Sequence, residues 1–101
     1  KAFLYSGVNE PFGIAVEEAI SSGLPLIVYG KGGGYTEIVN RSMGIILNNL
    51  EEDIWAKALI SVIVNNQLQR KYSAYNTVYA SKYLNANIMN KRIFRLIEKN
   101  L

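Results

Sequence analysis

A chain of 101 residues, half of them hydrophobic, can build one domain with a core but not two. It has no cysteine and no histidine, which excludes disulfides, thiol nucleophiles, imidazole bases and zinc sites of the usual ligand types. The formal net charge of +3 is uneven: residues 1–50 carry Lys1, Lys31 and Arg41 against Glu10, Glu17, Glu18 and Glu37, whereas residues 51–101 carry eight Lys/Arg against Glu51, Glu52, Asp53 and Glu98.

The elements follow from hydrophobic spacing and turn residues. Ala2–Ser6 is a short apolar and aromatic run ending at Gly7 and reads as a buried strand. Opening on such a strand at Lys1 points to a fragment of a larger protein. After the loop at Gly7–Glu10, Pro11 suits the first position of a helix, where its missing N–H costs nothing. That helix is expected to run to about Ser22, with Gly23 as its stop. Pro25–Tyr29 is a second buried strand, Gly30–Gly34 a glycine-rich loop, Tyr35–Asn40 a short helix and Met43–Leu47 a third strand.

From Glu51 the spacing becomes helical. Glu51, Glu52 and Asp53 complement the positive end of a helix dipole, and Trp55, Leu59, Val62 and Ile63 recur on one side. Leu68–Tyr83 and Ala86–Lys99 are two further helices. The order predicts an α/β domain: a partial, Rossmann-like parallel sheet of about three strands with C-terminal helices. No run of about 18 apolar residues is present to span a membrane. There is no leader pattern either, and a cytoplasmic location is expected.

The segment Glu10–Ala19 carries the most chemistry. At a helix start after Glu10, the N–H groups of Phe12, Gly13 and Ile14 lack intrahelical partners, and Gly13 has no side chain to block a ligand. Such a turn is a general anion site, and ligands of open α/β sheets lie beyond the carboxyl ends of the strands. The Gly7–Gly13 turn and the Gly30–Gly34 loop both fall there. Glu10 would repel a phosphate but can accept hydrogen bonds from sugar hydroxyls. By helical spacing Glu18 shares a side with Ile14, Ala15 and Ser22, beside the apolar stripe, while Glu17 reads as more solvated. A ribose diol would satisfy Glu18. Equally, Glu10 fits a helix cap and Glu18 a surface position of an amphipathic helix.

The run Glu10-Pro11-Phe12-Gly13-Ile14, then Glu18-Ala19-Ile20 and Ser22-Gly23-Leu24-Pro25-Leu26-Ile27, resembles the signature of retaining glycosyltransferases of the large family 4, which have the GT-B architecture. Gly32-Gly33-Gly34 with Glu37-Ile38-Val39 resembles the next block of that family, and Gly44–Leu47 the strand that follows. Two departures are Pro11 in place of the commoner glycine and Ile20-Ser21 in place of Met-Ala.

The resemblance implies the second half of a GT-B C-terminal domain, acting in glycan or polysaccharide biosynthesis. Glu10 would contact donor-sugar hydroxyls at the catalytic centre. The backbone around Phe12, Gly13 and Ile14 would face the sugar and diphosphate, Glu18 would bind the ribose, and Gly32 and Gly33 would border the donor pocket. Glu37 would fix the loop. The substrate would be a nucleotide-diphosphate sugar, with no metal and no other cofactor. The N-terminal acceptor domain and the first part of the donor domain would lie outside residues 1–101, leaving the isolated fragment inactive.

Two other features have alternative readings. Gly30-x-Gly32-x-x-Tyr35 nearly imitates a dinucleotide fingerprint, and Lys31 is not in a P-loop context. Tyr72, Tyr75, Tyr79 and Tyr83 recur at helical spacing, as packing residues or, less expectedly, as a stacking or lipid-facing stripe. Lys91, Arg92 and Arg95 add the expectation of contact with an anionic membrane surface. No nucleic-acid partner is expected, although a non-catalytic Rossmann-like nucleotide or nucleic-acid binding module is the rival reading.

Overall fold

A computed structural model describes residues 1–7, 13–84 and 86–101. Strands β1 (Phe3–Tyr5), β2 (Leu26–Tyr29) and β3 (Gly44–Leu47) form a parallel sheet in the order β1-β2-β3. Phe3 pairs with Leu26, and Leu26 with Gly44. Helix α1 (Ile14–Ser21) connects β1 to β2, and a single 3-10 turn, Gly34–Glu37, lies between β2 and β3. Helices α2 (Glu52–Ile63), α3 (Asn66–Tyr83) and α4 (Ala86–Asn100) follow. This is the expected α/β architecture.

The apolar run of β2 is continuous because this strand is central and covered on both faces. Leu26 and Val28 meet Val16, Ala19 and Ile20 of α1, together with Tyr35, Met43 and Leu84. Ile27 points the other way and meets Ala58 and Val62 of α2. The alternation is that of any strand, where successive side chains leave opposite faces. β1 differs from its sequence reading. It is shorter than Ala2–Ser6 and only half-buried, with Leu4 exposed, because it stands at the sheet edge with β2 as its one described neighbour.

α3 spans both cores. Leu68 and Tyr72 pack under α2, while Tyr79, Ala80 and Leu84 pack with α1. Eighteen residues give about 27 Å of helix, enough to cross from one face to the other. At its middle, Asn76 is fully buried and donates from Nδ2 to the carbonyls of Leu24 (2.8 Å) and Met43 (3.0 Å). These carbonyls lie just before β2 and β3, so one amide ties α3 to the amino end of the sheet. The turn into α3 is also capped: Asn65 accepts from the Leu68 N–H at 3.0 Å, and Gln69 Nε2 donates to the Val62 and Ile63 carbonyls, both at 2.9 Å.

The tyrosine stripe of α3 divides. Tyr72 and Tyr79 are half-buried against the two cores, whereas Tyr75 and Tyr83 are exposed. α1 ends where expected: Gly23 N–H bonds Ile20 and Leu24 N–H bonds Ala19, the paired closure typical of a helix stopped by glycine.

Candidate functional site

The carboxyl ends of β1 and β2 are joined through one side chain, Tyr35. Its hydroxyl lies 2.9 Å from the Gly7 carbonyl and 2.8 Å from the Tyr29 carbonyl, and its proton is shared between these acceptors. The ring is buried and meets Tyr5 edge-on at 5.2 Å between centroids. A Cβ on Gly32 would collide with the Tyr35 hydroxyl and the Gly7 carbonyl oxygen, so glycine at 32 is what lets the two loops touch. Gly32 is buried in this contact and Gly33 is half-buried. Thr36 then closes the turn, its hydroxyl donating to the Gly33 carbonyl at 2.6 Å.

The same tyrosine meets the start of α1. Gly13 is buried and left-handed, with φ 62° and ψ 29°, and a Cβ there would lie 3.0 Å from the Tyr35 Cα. Glycine alone takes that backbone without strain. The first helical bond runs from the Glu17 N–H to the Gly13 carbonyl at 3.0 Å. Helix α1 therefore begins at Ile14, and the start read at Pro11 lies outside the described residues. Its N–H groups without intrahelical partners are those of Gly13, Ile14, Ala15 and Val16, two of which, Gly13 and Ile14, are among those expected from the sequence. Ile14 and Ala15 are exposed. Glu10 and Phe12, and Pro11 between them, lie outside the described residues.

The two glutamates of α1 exchange roles relative to the sequence reading. Glu17, expected to be solvated, is 6% exposed, with its carboxylate 2.6 Å from the Arg92 guanidinium. Glu18, expected beside the apolar stripe, is exposed. The cause is α4, which lies against the side of α1 that carries Glu17, a placement no periodicity within α1 reveals. An exposed Glu18 keeps its carboxylate open to a ligand's hydroxyls. Arg92, read from sequence as a membrane-facing cation, is instead engaged with Glu17. Glu37 is exposed at the end of the 3-10 turn, and the loop-fixing role read for it belongs to Tyr35.

Tyr35 is thus the residue whose role sequence reasoning missed, having registered as the start of a short helix and as a failed third glycine of a fingerprint. The available signal was an aromatic hydroxyl placed directly after a glycine run. A groove of about 580 Å³ lined by Lys1, Gly23, Pro25, Arg70 and Ser73 opens elsewhere, at the amino end of the strands. It is remote from the Tyr35 junction and belongs to the opposite edge of the sheet.

A family profile described as glycosyl transferases group 1 matches residues 1–78. The chain belongs to the glycosyl transferases group 1 family. No curated protein and no solved structure matches it. In this glycosyltransferase domain the family match takes in the whole sheet, α1, α2 and the Tyr35 junction, and it ends within α3. Helix α4 lies beyond it.

Proposed function

We propose that this glycosyltransferase domain holds the donor of a retaining, family-4-type enzyme of GT-B architecture. A sugar passes from a nucleotide-diphosphate sugar to an acceptor hydroxyl. The bond from the anomeric carbon to the diphosphate oxygen breaks and the nucleoside diphosphate leaves with the electron pair, while the acceptor oxygen bonds the anomeric carbon on the same face of the sugar and gives up its proton to the departing diphosphate. The observation that carries this reading is the Tyr35 junction, which draws Gly7, Gly13 and Gly32 to one point at the carboxyl edge of the sheet. Ligands of open parallel sheets lie outside that edge.

The chain's own groups divide the work. The open N–H groups of Ile14 and Ala15, at the positive end of α1, face the diphosphate and stabilise its charge as it leaves. Glu18 accepts both hydroxyls of the ribose, which one carboxylate can do with its two oxygens. Glu10, on the family resemblance, accepts from hydroxyls of the donor sugar, and the Gly33 backbone borders the pocket.

Isothermal calorimetry with UDP-glucose and GDP-mannose tests the reading. One of them binds, and Glu18→Ala weakens that binding about tenfold or more, as expected when a charged acceptor of two hydroxyls is removed. Because Glu18 is exposed, the variant melts with the parent chain. Binding that ignores Glu18→Ala, or oligonucleotide binding in place of nucleotide-sugar binding, would overturn the assignment.

A further inference from the structure

Glu17 is a charged side chain in a place where α1 otherwise puts apolar ones. It is buried together with Val16, Ala19 and Ile20. Those three close the core against the sheet, and a carboxylate among them is costly unless a cation compensates it. The Arg92 guanidinium does so at 2.6 Å. Tyr79 of α3 lies within electrostatic reach of both charges, so α1, α3 and α4 meet at the pair.

The fold alone does not call for this pair. Apolar side chains of similar volume hold two helices together as well as a buried ion pair does, or better. What sets Glu17 apart is its place along α1. It stands in the first turn, and its own N–H makes the first helical bond, to the Gly13 carbonyl. Ile14 is three residues away, about 4.5 Å of helix rise. The N–H groups proposed to face the diphosphate are therefore within about one helical turn of this carboxylate.

Helix α1 carries two acids, Glu17 and Glu18, and no base. Glu18 is exposed and open to hydroxyls, whereas Glu17 is turned from solvent. An uncompensated carboxylate at 17 would occupy the positive field of the helix start and repel a diphosphate placed there. Water and salt screen such repulsion at the surface but much less for a buried group.

We propose that Arg92 is a positioning residue of the donor site that acts through Glu17, a role that rests on the donor-binding reading. By cancelling the carboxylate buried behind the start of α1, it leaves the helix end receptive to a diphosphate. Glu17 lies within the segment that matches the family and Arg92 on α4 beyond it. The docking of α4 and the binding of the diphosphate thereby favour each other, as linkage requires.

Calorimetry at pH 8, well above the ordinary glutamate range, tests this with uridine, UMP and UDP and with guanosine, GMP and GDP. Removing either charge moves affinity per folded molecule in opposite directions. Arg92→Gln weakens UDP or GDP about tenfold, the order expected for one charge roughly 10 Å from the phosphates at an effective dielectric near 20. Glu17→Gln leaves the cation in place and strengthens the same nucleotide about threefold, less because Arg92 is partly exposed and screened. The double Gln variant returns to within about twofold of the parent chain, and Arg92→Lys stays there too. Nucleosides respond to none of these and do respond to Glu18→Ala. Glu17→Gln is nearly isosteric and carries the test alone where Arg92→Gln does not fold. Weaker binding of nucleosides and diphosphates alike in both single variants is the mark of a purely structural pair and overturns the proposal. Diphosphate affinity indifferent to Arg92→Gln and Glu17→Gln, with Glu18→Ala still weakening it, overturns the role of Arg92 and leaves the donor reading standing. Absence of nucleotide binding by the parent chain removes both.

Discussion

Each end of the sheet is held by one buried polar side chain that reaches two backbone carbonyls, and the two ends differ in what those carbonyls belong to. At the amino end, Asn76 bonds Leu24 and Met43 from the middle of an 18-residue helix, joining segments 52 and 33 residues away in sequence. At the carboxyl end, Tyr35 lies between Gly7 and Tyr29, two loop-edge carbonyls, and presses on Gly13 and Gly32. The first arrangement clamps a helix to the sheet. The second packs the glycine backbones of two loops against one ring. The amino end therefore carries fold stability and the carboxyl end carries the shape of the candidate site.

Breaking the amino end should cost most. Asn76→Ala removes both bonds and leaves a hole in a fully packed region, for an expected loss of about 3 kcal/mol, read from urea unfolding. Donor affinity per folded molecule should be unchanged. A stability loss confined to a few tenths of a kcal/mol would mean that α3 is held by its apolar contacts alone. Asn76 Oδ1 has no hydrogen-bond partner among the described residues. The amide is oriented by its NH₂ group, since the flipped rotamer would turn oxygen toward two carbonyls.

Tyr35→Phe keeps the ring and removes the hydroxyl. The expected loss is about 1 kcal/mol of stability. Nucleotide-sugar binding should weaken together with it, because the Gly7 and Tyr29 ends are no longer tied. Equal effects of Tyr35→Phe and Asn76→Ala on donor affinity, after correction for the folded fraction, would erase the distinction between the two ends.

The smallest effect concerns Tyr79, one helical turn from Asn76. Burial raises its pKa above the ordinary 10.0, outweighing the opposing pull of Arg92. Below about pH 10 the hydroxyl is protonated in both folded and unfolded chains and stability does not change with pH. Above it the unfolded chain loses the proton first, so stability falls as pH rises toward the folded value. Tyr79→Phe should remove that part of the alkaline slope, measured as the difference in urea midpoint between about pH 9 and pH 11. A slope identical in both proteins would show that Tyr79 ionises freely in the fold.

Much of the architecture is legible in the sequence because it depends on local spacing. The continuous run at Pro25–Tyr29, the stop at Gly23, the acids at Glu51–Asp53 and the helical repeat beyond them each report a nearest-neighbour preference of the backbone. Where the readings fail, a distant segment intervenes. The described helix α1 starts at Ile14 because Gly13 is left-handed against Tyr35. Glu17 and Glu18 exchanged environments because α4, more than 70 residues away in sequence, delivers Arg92 to one of them. β1 reads as buried by composition and is half-buried by position.

The sequence by itself determined the order of elements, the glycine-rich character of both loops and the presence of carboxylates near a helix start, since these need only residue type and period. Tertiary structure decided which carboxylate stays open, which tyrosine joins the loops and which side of α4 meets α1. Those outcomes depend on contacts between residues far apart in the chain, where burial and charge pairing outweigh what any single helix or strand prefers.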